Sequence, residues 1–287
     1  MNYNLPAKSL VSICIYAVVS LFYCNASATN YYINNRSGND ANKGTTKDLA
    51  WKSMVNLEQN KFTPGDSILF AKGSSYTGGF AFKSSGNADK PIVFSTYSVG
   101  ADVILSTSRE KLTPLFEKYG AGQAPSFTNS DWSVLDGNIF RIEASYIVGN
   151  GYYFHDNVNT SGSDKKNKNV KKMGAVYFAL DTHHNVVKNC EFFHTPVGIK
   201  IKSTYSQAIH NTLHDASNMM AYSWGPIAIM VTASNNEVAY NHIENYGAYG
   251  GPYGSDGVLL SWMVWTITLR PITSTSTTIQ LLITTAL

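Results

Sequence analysis

Val197-Gly198-Ile199-Lys200-Ile201, followed shortly by Ala208-Ile209-His210-Asn211-Thr212-Leu213, is a short alternating strand, a polar turn and a second apolar stretch broken by Asn. The unit recurs on both sides of it. Gly174-Ala175-Val176-Tyr177-Phe178 leads to Asn185-Val186-Val187-Lys188-Asn189-Cys190-Glu191-Phe192, and Gly225-Pro226-Ile227-Ala228-Ile229 leads to Asn235 through Ile243. A looser copy runs from Ser145 to Phe154. A period of roughly 22 to 30 residues with strand-like alternation is the mark of a solenoid, because one such unit cannot bury its apolar face alone. Stacked parallel coils would bring Val176, Ile199 and Ile229 inward in register, with Asn side chains forming ladders from coil to coil. A β-sandwich is the competing all-β reading, and it would favour hairpin turns between neighbouring strands.

Outward from this array, helical periodicity is scarce and the chain reads as all-β. The exception is Trp51 to Leu57, where Trp51, Met54, Val55 and Leu57 share a helical face and Asp48 is placed to cap the start. One short helix there would cover the first coil of a solenoid.

The 287 residues open with Lys8, an apolar run from Leu10 to Tyr23 and the small triplet Ala26-Ser27-Ala28. This is the layout of a secretory signal, with cleavage after Ala28, so residues 1–28 are expected to be removed and 29–257 to form the exported β-helix. The run, about 14 residues, is short of the ~20 that span a bilayer. A lipidated Cys24 is the lesser alternative, since Tyr23 stands where a small residue belongs. Cys14 and Cys24 leave with the leader, so Cys190 alone remains and no internal disulfide can form. The formal net charge is +3, and the basic excess lies in Lys165 to Lys172. So local a run reads as a solvated loop and is too confined to argue for nucleic-acid binding.

From Val258 to Leu287 there is no Gly, Asn, Asp, Glu or Lys, and Thr, Ile and Leu dominate. Because Trp and Met have single codons, Trp262-Met263-Val264-Trp265-Thr266 read one base earlier must contain Asp-Gly-any-Asp, and the residues before it permit Gly-Ala-Ile-Glu-Leu. The segment 258–287 is therefore read as an out-of-frame tail on an incomplete helix domain. Arg270-Pro271 interrupts it too early for a membrane span.

Tyr31-Tyr32-Ile33, Ser37-Gly38-Asn39-Asp40-Ala41-Asn42-Lys43-Gly44, Trp51-Lys52-Ser53, Phe62-Thr63-Pro64-Gly65-Asp66-Ser67-Ile68-Leu69-Phe70 and Pro91 to Tyr97 together resemble the opening segment of secreted bacterial right-handed parallel β-helix proteins. These include pectate-lyase-like polysaccharide lyases and some β-helical glycoside hydrolases. The resemblance spans Tyr31 to about Gly257 and speaks for fold more than for reaction. It implies a secreted monomer acting on polysaccharide, a lyase of uronate polymers first and a glycoside hydrolase or noncatalytic carbohydrate-binding protein as alternatives. No nucleic acid is expected as a partner, and no membrane after leader removal.

A lyase needs a base for the proton α to the uronate carboxylate and a cation to neutralise that carboxylate. If Val197, Ile199 and Ile201 face the core, alternation turns Gly198, Lys200 and Lys202 outward. Lys200, stacked between Tyr177 and Ala228, is then the leading base or uronate-binding group, against the plainer reading of a solvated strand lysine. His214 is the second catalytic candidate. Tyr177, Asp181, His183, Lys202, Asp215, Tyr222, Trp224 and Tyr249 are candidate substrate-binding residues, the aromatic ones because ring faces stack on sugars. The adjacency of His214 and Asp215 alone is weak, since neighbours in a strand point to opposite faces. Hydrolysis needs two carboxyls, and Asp156, Asp215, Glu237, Glu244 and Asp256 are available. Calcium suits a lyase, but no clustered Asp motif marks a site for it.

Overall fold

The computed structural model describes residues 27–98, 124–158, 172–216 and 226–246, and the strands 258–260, 266–269 and 278–284. The leader falls outside these residues, apart from Ser27 and Ala28. The described chain is nearly all β, and its parallel strands repeat in threes, giving each coil three faces. The first face stacks β1 (Asn30–Ile33), β2 (Ser67–Ala71), β5 (Ile92–Tyr97), β8 (Ile147–Asn150), β11 (Val186–Lys188), β14 (Gln207–Ile209) and the start of β17 (Glu237–Glu244). The second stacks β3 (Ser75–Thr77), β6 (Ser126–Thr128), β9 (Tyr153–His155), β12 (Glu191–Phe193), β15 (Thr212–His214) and the end of β17. The third stacks β4 (Phe80–Phe82), β7 (Phe140–Ile142), β10 (Val176–Phe178), β13 (Val197–Ile201), β16 (Ile227–Val231) and β18 (Val258–Leu260). This is a β-helix-like architecture, and the expected register holds: Val176 pairs with Ile199, and Ile199 with Ile229.

Coil length varies because segments are inserted between strands. Val186 pairs with Gln207, and Gln207 with Glu237, inside the expected spacing or within a residue of it, whereas Val93 pairs with Val148 across a much longer excursion. Past Gly257 the parallel stack continues through Val258–Leu260 on β16. The pairing then becomes antiparallel: β20 (Thr278–Thr284) pairs with both β17 and β19 (Thr266–Leu269).

The early coils are filled by aromatic rings, with Phe127 and Phe140 at 4.9 Å and Phe154 and Phe192 stacked at 4.8 Å. Later coils narrow to Ile199, Ile229, Val231 and Leu213, all fully buried. Two internal ladders tie the coils. In one, Asn211 Oδ1 accepts from Cys190 N and Asn211 N donates to Asn241 Oδ1. In the other, Asn185 N donates to Ser206 Oγ and Ser206 N to Asn236 Oδ1. Each Asn amide meets backbone groups that a sharp corner leaves without a strand partner, which is why the repeat carries Asn at those points.

The early helix is shorter and later than its pattern suggests. It is α1 (Val55–Gln59), with Met54 at its N-cap and no capping side chain. Asp48 is exposed, and Asp40 orders the approach instead, accepting from the N–H groups of Lys52 and Ser53 at 2.8 Å each. Trp51 is bridged to Ile33, and Val55, expected on the buried face, is exposed while Met54 and Leu57 are buried.

Candidate functional site

The second face alternates cleanly. Phe154, Phe192 and Leu213 point into the core at 0% exposure, so their neighbours point out. In register, one outer row is Tyr153, Glu191, Thr212 and His242, and the next is His155, Phe193, His214 and Glu244. The residue after each strand, Asp156, His194, Asp215 and Asn245, takes a left-handed conformation with φ between 46° and 57°. Asp, Asn and His tolerate that region better than other side-chain-bearing residues. The reversal breaks the up-down alternation, so the corner side chain folds back beside the preceding strand residue.

That geometry assembles a carboxylate–imidazole–carboxylate group. His214 Nε2 lies 3.1 Å from Glu191 Oε1 and its Nδ1 lies 2.9 Å from Asp215 Oδ2. Asn245 donates to the other oxygen of Asp215 at 2.7 Å. The Glu191 hydrogen bond is the main reason the His214 pKa is pushed up to about 9, with Asp215 adding to it against the opposing effect of burial. His214 is therefore an imidazolium at neutral pH, donating from both ring nitrogens. Hydrogen bonds from His214 and Asn245 hold the Asp215 carboxyl below the ordinary value. Glu191 was not among the sequence candidates. Its signal was present in the repeat, which aligns Glu191-Phe192-Phe193-His194 with Thr212-Leu213-His214-Asp215 and makes Glu191 a diagonal cross-strand neighbour of His214.

The third face corrects the expectation of an outward groove there. All five residues of β13 and all five of β16 are buried. Lys200 shares a row with Tyr177 and with Met230, not Ala228, and is 2% exposed. A Cβ at Gly174 would lie 3.0 Å from Lys200 Cβ, so the chain there passes directly over it. Trp132, Val158, Met173, Val197, Ile227 and Met230 form a second apolar cluster distinct from the main core. Gly198 is not outward either, since a Cβ on it would strike Leu213 in the core at 2.6 Å. Tyr177 is 5% exposed, with the Arg141 guanidinium over its ring at 5.5 Å. Lys202, just beyond β13, is partly exposed.

The remaining candidates are dispersed. Asp181 is an exposed left-handed residue, φ 63°, at the corner leading to the first face. His183 sits at the same corner, its Nδ1 2.9 Å from that of His184, which is sandwiched between Tyr146 and Tyr205. The structure thus separates Asp181 and His183 from His214 and Asp215. Tyr222, Trp224 and Tyr249 lie outside the described residues. Tyr246 is a packing residue, 5% exposed and hydrogen-bonded to Thr195. Among the described residues, no group of three or more His, Cys, Asp or Glu is arranged to hold a metal ion. Glu191, Asp215 and Asp156 each accept hydrogen bonds from imidazoles.

Taken together, fold and site define a parallel β-helix-like protein with one polar, histidine- and carboxylate-lined face. A stretch of 76 residues, 25% of the chain, is 40% identical to a lacto-N-biosidase of Bifidobacterium longum subsp. longum, of which it covers 5%. A solved GH136 lacto-N-biosidase from Eubacterium ramulus aligns with 82% of this chain and 55% of its own, at 14% identity and a TM-score of 0.44. A rhamnogalacturonan lyase aligns with 81% of this chain and 50% of its own, at 16% identity and a TM-score of 0.33. An alginate lyase from Paenibacillus sp. str. FPU-7 aligns with 62% of this chain and 69% of its own, at 13% identity and a TM-score of 0.32. These are carbohydrate-active enzymes by name. The chain spans about a twentieth of the curated relative and about half of the solved biosidase. No protein-family profile matches it. Among the described residues, no helix is long and apolar enough to cross a membrane.

Proposed function

We propose that this chain is part of a secreted carbohydrate-active enzyme that cleaves a glycan on the second face, by hydrolysis in preference to β-elimination. The observation that carries the reading is the Glu191–His214–Asp215 group, which spans two adjacent outward rows and the corner of the second face. Asp215, kept ionised, takes a proton from water attacking the anomeric carbon. The proton held between Glu191 and His214 passes to the leaving glycosidic oxygen as the carbon–oxygen bond breaks, and the water's oxygen ends on the sugar. The 40% identity to a lacto-N-biosidase over 76 residues supports the same reaction class.

Elimination is less well served. Its base must be free of the proton it abstracts, but His214 is protonated at neutral pH and Lys200 is buried. The outward rows and corner of β9, β12, β15 and β17 carry Asp156, Glu191, Asp215 and Glu244 and no lysine or arginine. Such a face repels a uronate polymer and suits an uncharged glycan. The test is incubation with neutral oligosaccharides and, separately, with polygalacturonate and alginate. New reducing ends from a neutral glycan, lost in Asp215→Asn and Glu191→Gln, are expected. Ultraviolet-absorbing unsaturated product from either uronate polymer would overturn the hydrolytic assignment, and binding without cleavage would leave a carbohydrate-binding protein.

Export belongs to the same proposal, with residues 1–28 as a cleaved leader ahead of a right-handed coil whose first turn α1 covers. Thr29 N donates to Asp66 Oδ1 at 2.8 Å, and Asp66 is 1% exposed. Cleavage after Ala28 makes that nitrogen an ammonium and the bond a charge-assisted one. N-terminal sequencing of exported protein should begin at Thr29. The reading of 258–287 as out of frame rests on composition and codons, and sequencing the gene decides it.

A further inference from the structure

A second His–Asp pair lies on the same face in register with the first. His155 and His214 both pair with Phe193, from opposite sides. His155 Nδ1 is 2.8 Å from Asp156 Oδ2, as His214 Nδ1 is 2.9 Å from Asp215 Oδ2. The strand spacing places the two pairs roughly 9–10 Å apart along the helix axis. Between them, Phe193 is the apolar residue of the outer row, half-buried, with His194 stacked on it at 3.6 Å and the His214 ring tilted against it at 5.3 Å. Asp156 Oδ1 also accepts from His194 Nδ1, at 3.0 Å. Burial pulls the Asp156 pKa up, but the bonds from His155 and His194 outweigh it and hold the carboxyl low.

We infer that Phe193, His194 and the His155–Asp156 pair form a sugar-binding subsite one to two units along the glycan from Glu191–His214–Asp215. The inference rests on the second-face reading above. An aromatic surface bordered by hydrogen-bonding groups whose own orientation is fixed is the chemistry that recognises a pyranose, the ring covering C–H bonds and the polar groups meeting hydroxyls. Asp156 uses both oxygens to orient the two imidazoles through Nδ1, which leaves each Nε2 to face a ligand hydroxyl. This group is outside the proton-transfer machinery, so its contribution is to affinity for longer chains and not to the bond-breaking step.

The test uses the full chain on a printed array of neutral, amino-sugar and uronate oligosaccharides of graded length, with wild type, Phe193→Ala, His194→Ala and Glu191→Gln side by side. Wild type should retain neutral glycans, and Phe193→Ala and His194→Ala should weaken binding of the longer ones by roughly tenfold while sparing the shortest. Equal loss at every length, or no loss in either variant while Glu191→Gln alone impairs binding or cleavage, overturns the subsite and leaves the second-face reading in place. Retention of no glycan by wild type overturns both. Should Phe193→Ala fail to fold by circular dichroism, His194→Ala, which removes an exposed side chain, decides the matter.

Discussion

The second face and the later coils of the third face are built from the same repeat in the same register, yet only the former meets solvent with its outward side chains. On β9, β12 and β15 every other residue is open, whereas β13 and β16 are buried along their whole length. The difference is made by Trp132, Val158 and Met173, which lie far from β13 in sequence and pack with Met230 on the outer side of the third face. Pointing away from the core is therefore not the same as being exposed, and among the described residues the outward rows of β9, β12 and β15 are the ones left open beside a histidine–carboxylate group.

The comparison breaks most visibly if a polar side chain is forced onto each outer row. Met230→Asn places an amide in a site that is 6% exposed and should cost about 3 kcal/mol, from lost packing and an unsatisfied polar group. Thr212→Asn, outward on the second face, should stay within about 0.5 kcal/mol. Urea unfolding of the two variants measures the contrast, and similar losses would show that the second face is covered as well.

Next in size is the internal ladder beside the second face. Asn211→Ala removes the acceptor of Cys190 N and the donor to Val187 O, all buried, and should cost about 2 kcal/mol. Hydrogen exchange should accelerate first at β12 and β15, leaving β10 and β13 protected. Uniform acceleration over all three faces would mean that the ladder holds the whole coil and not one corner.

How much of this was legible in the sequence follows from the same contrast. Inward positions repeat, so Val176, Ile199 and Ile229 could be aligned from periodicity, and the Asn ladders could be expected from the Asn positions. Outward positions depend on what crosses them. Alternation put Lys200 and Tyr177 outside correctly in direction, but Gly174 passing over Lys200 and Arg141 over Tyr177 cannot be read from β10 and β13 themselves. Gly198 and Val197 defied alternation: Gly198 is turned to Leu213 in the core, and Val197 packs with Met230 in the second cluster. The pairing of His214 with Asp215 was discounted for the opposite reason: alternation forbids it within a strand, and Asp215 has left the strand with φ 57°.

A third prediction sharpens the second face's electrostatics. A free histidine titrates near 6.5, and His214 in the fold near 9. Its folded value is the higher, so the stabilisation is fully present below pH 6.5 and is lost as the pH rises through 9. Solvent screening at this partly exposed group reduces the contribution to on the order of 1 kcal/mol. Unfolding free energies from pH 6 to 10 should fall by about that much in wild type and stay flatter in His214→Asn. An identical slope in both would place the alkaline loss elsewhere.

The smallest expected effect is at Asn245, which closes the row of left-handed corner residues. Its amide donates to Asp215 Oδ1, opposite the oxygen that His214 holds. After the His214 bond, this is the next cause keeping the Asp215 carboxyl below the ordinary 3.8. Asn245→Gly, which keeps the left-handed backbone at φ 52° without strain, should therefore move the Asp215 pKa upward toward 3.8 while changing stability by less than about 0.5 kcal/mol, since the bond is exposed. Carboxyl-carbon NMR titration of Asp215 reads the shift directly. On the third face the comparable wiring lies at β7, where Arg141 reaches Glu143 and Asp136, while β13 and β16 are buried throughout. A titration left unmoved by Asn245→Gly would mean that the corner row of the second face acts as scaffold alone, and that Asp215 is set by His214 without help from the next coil.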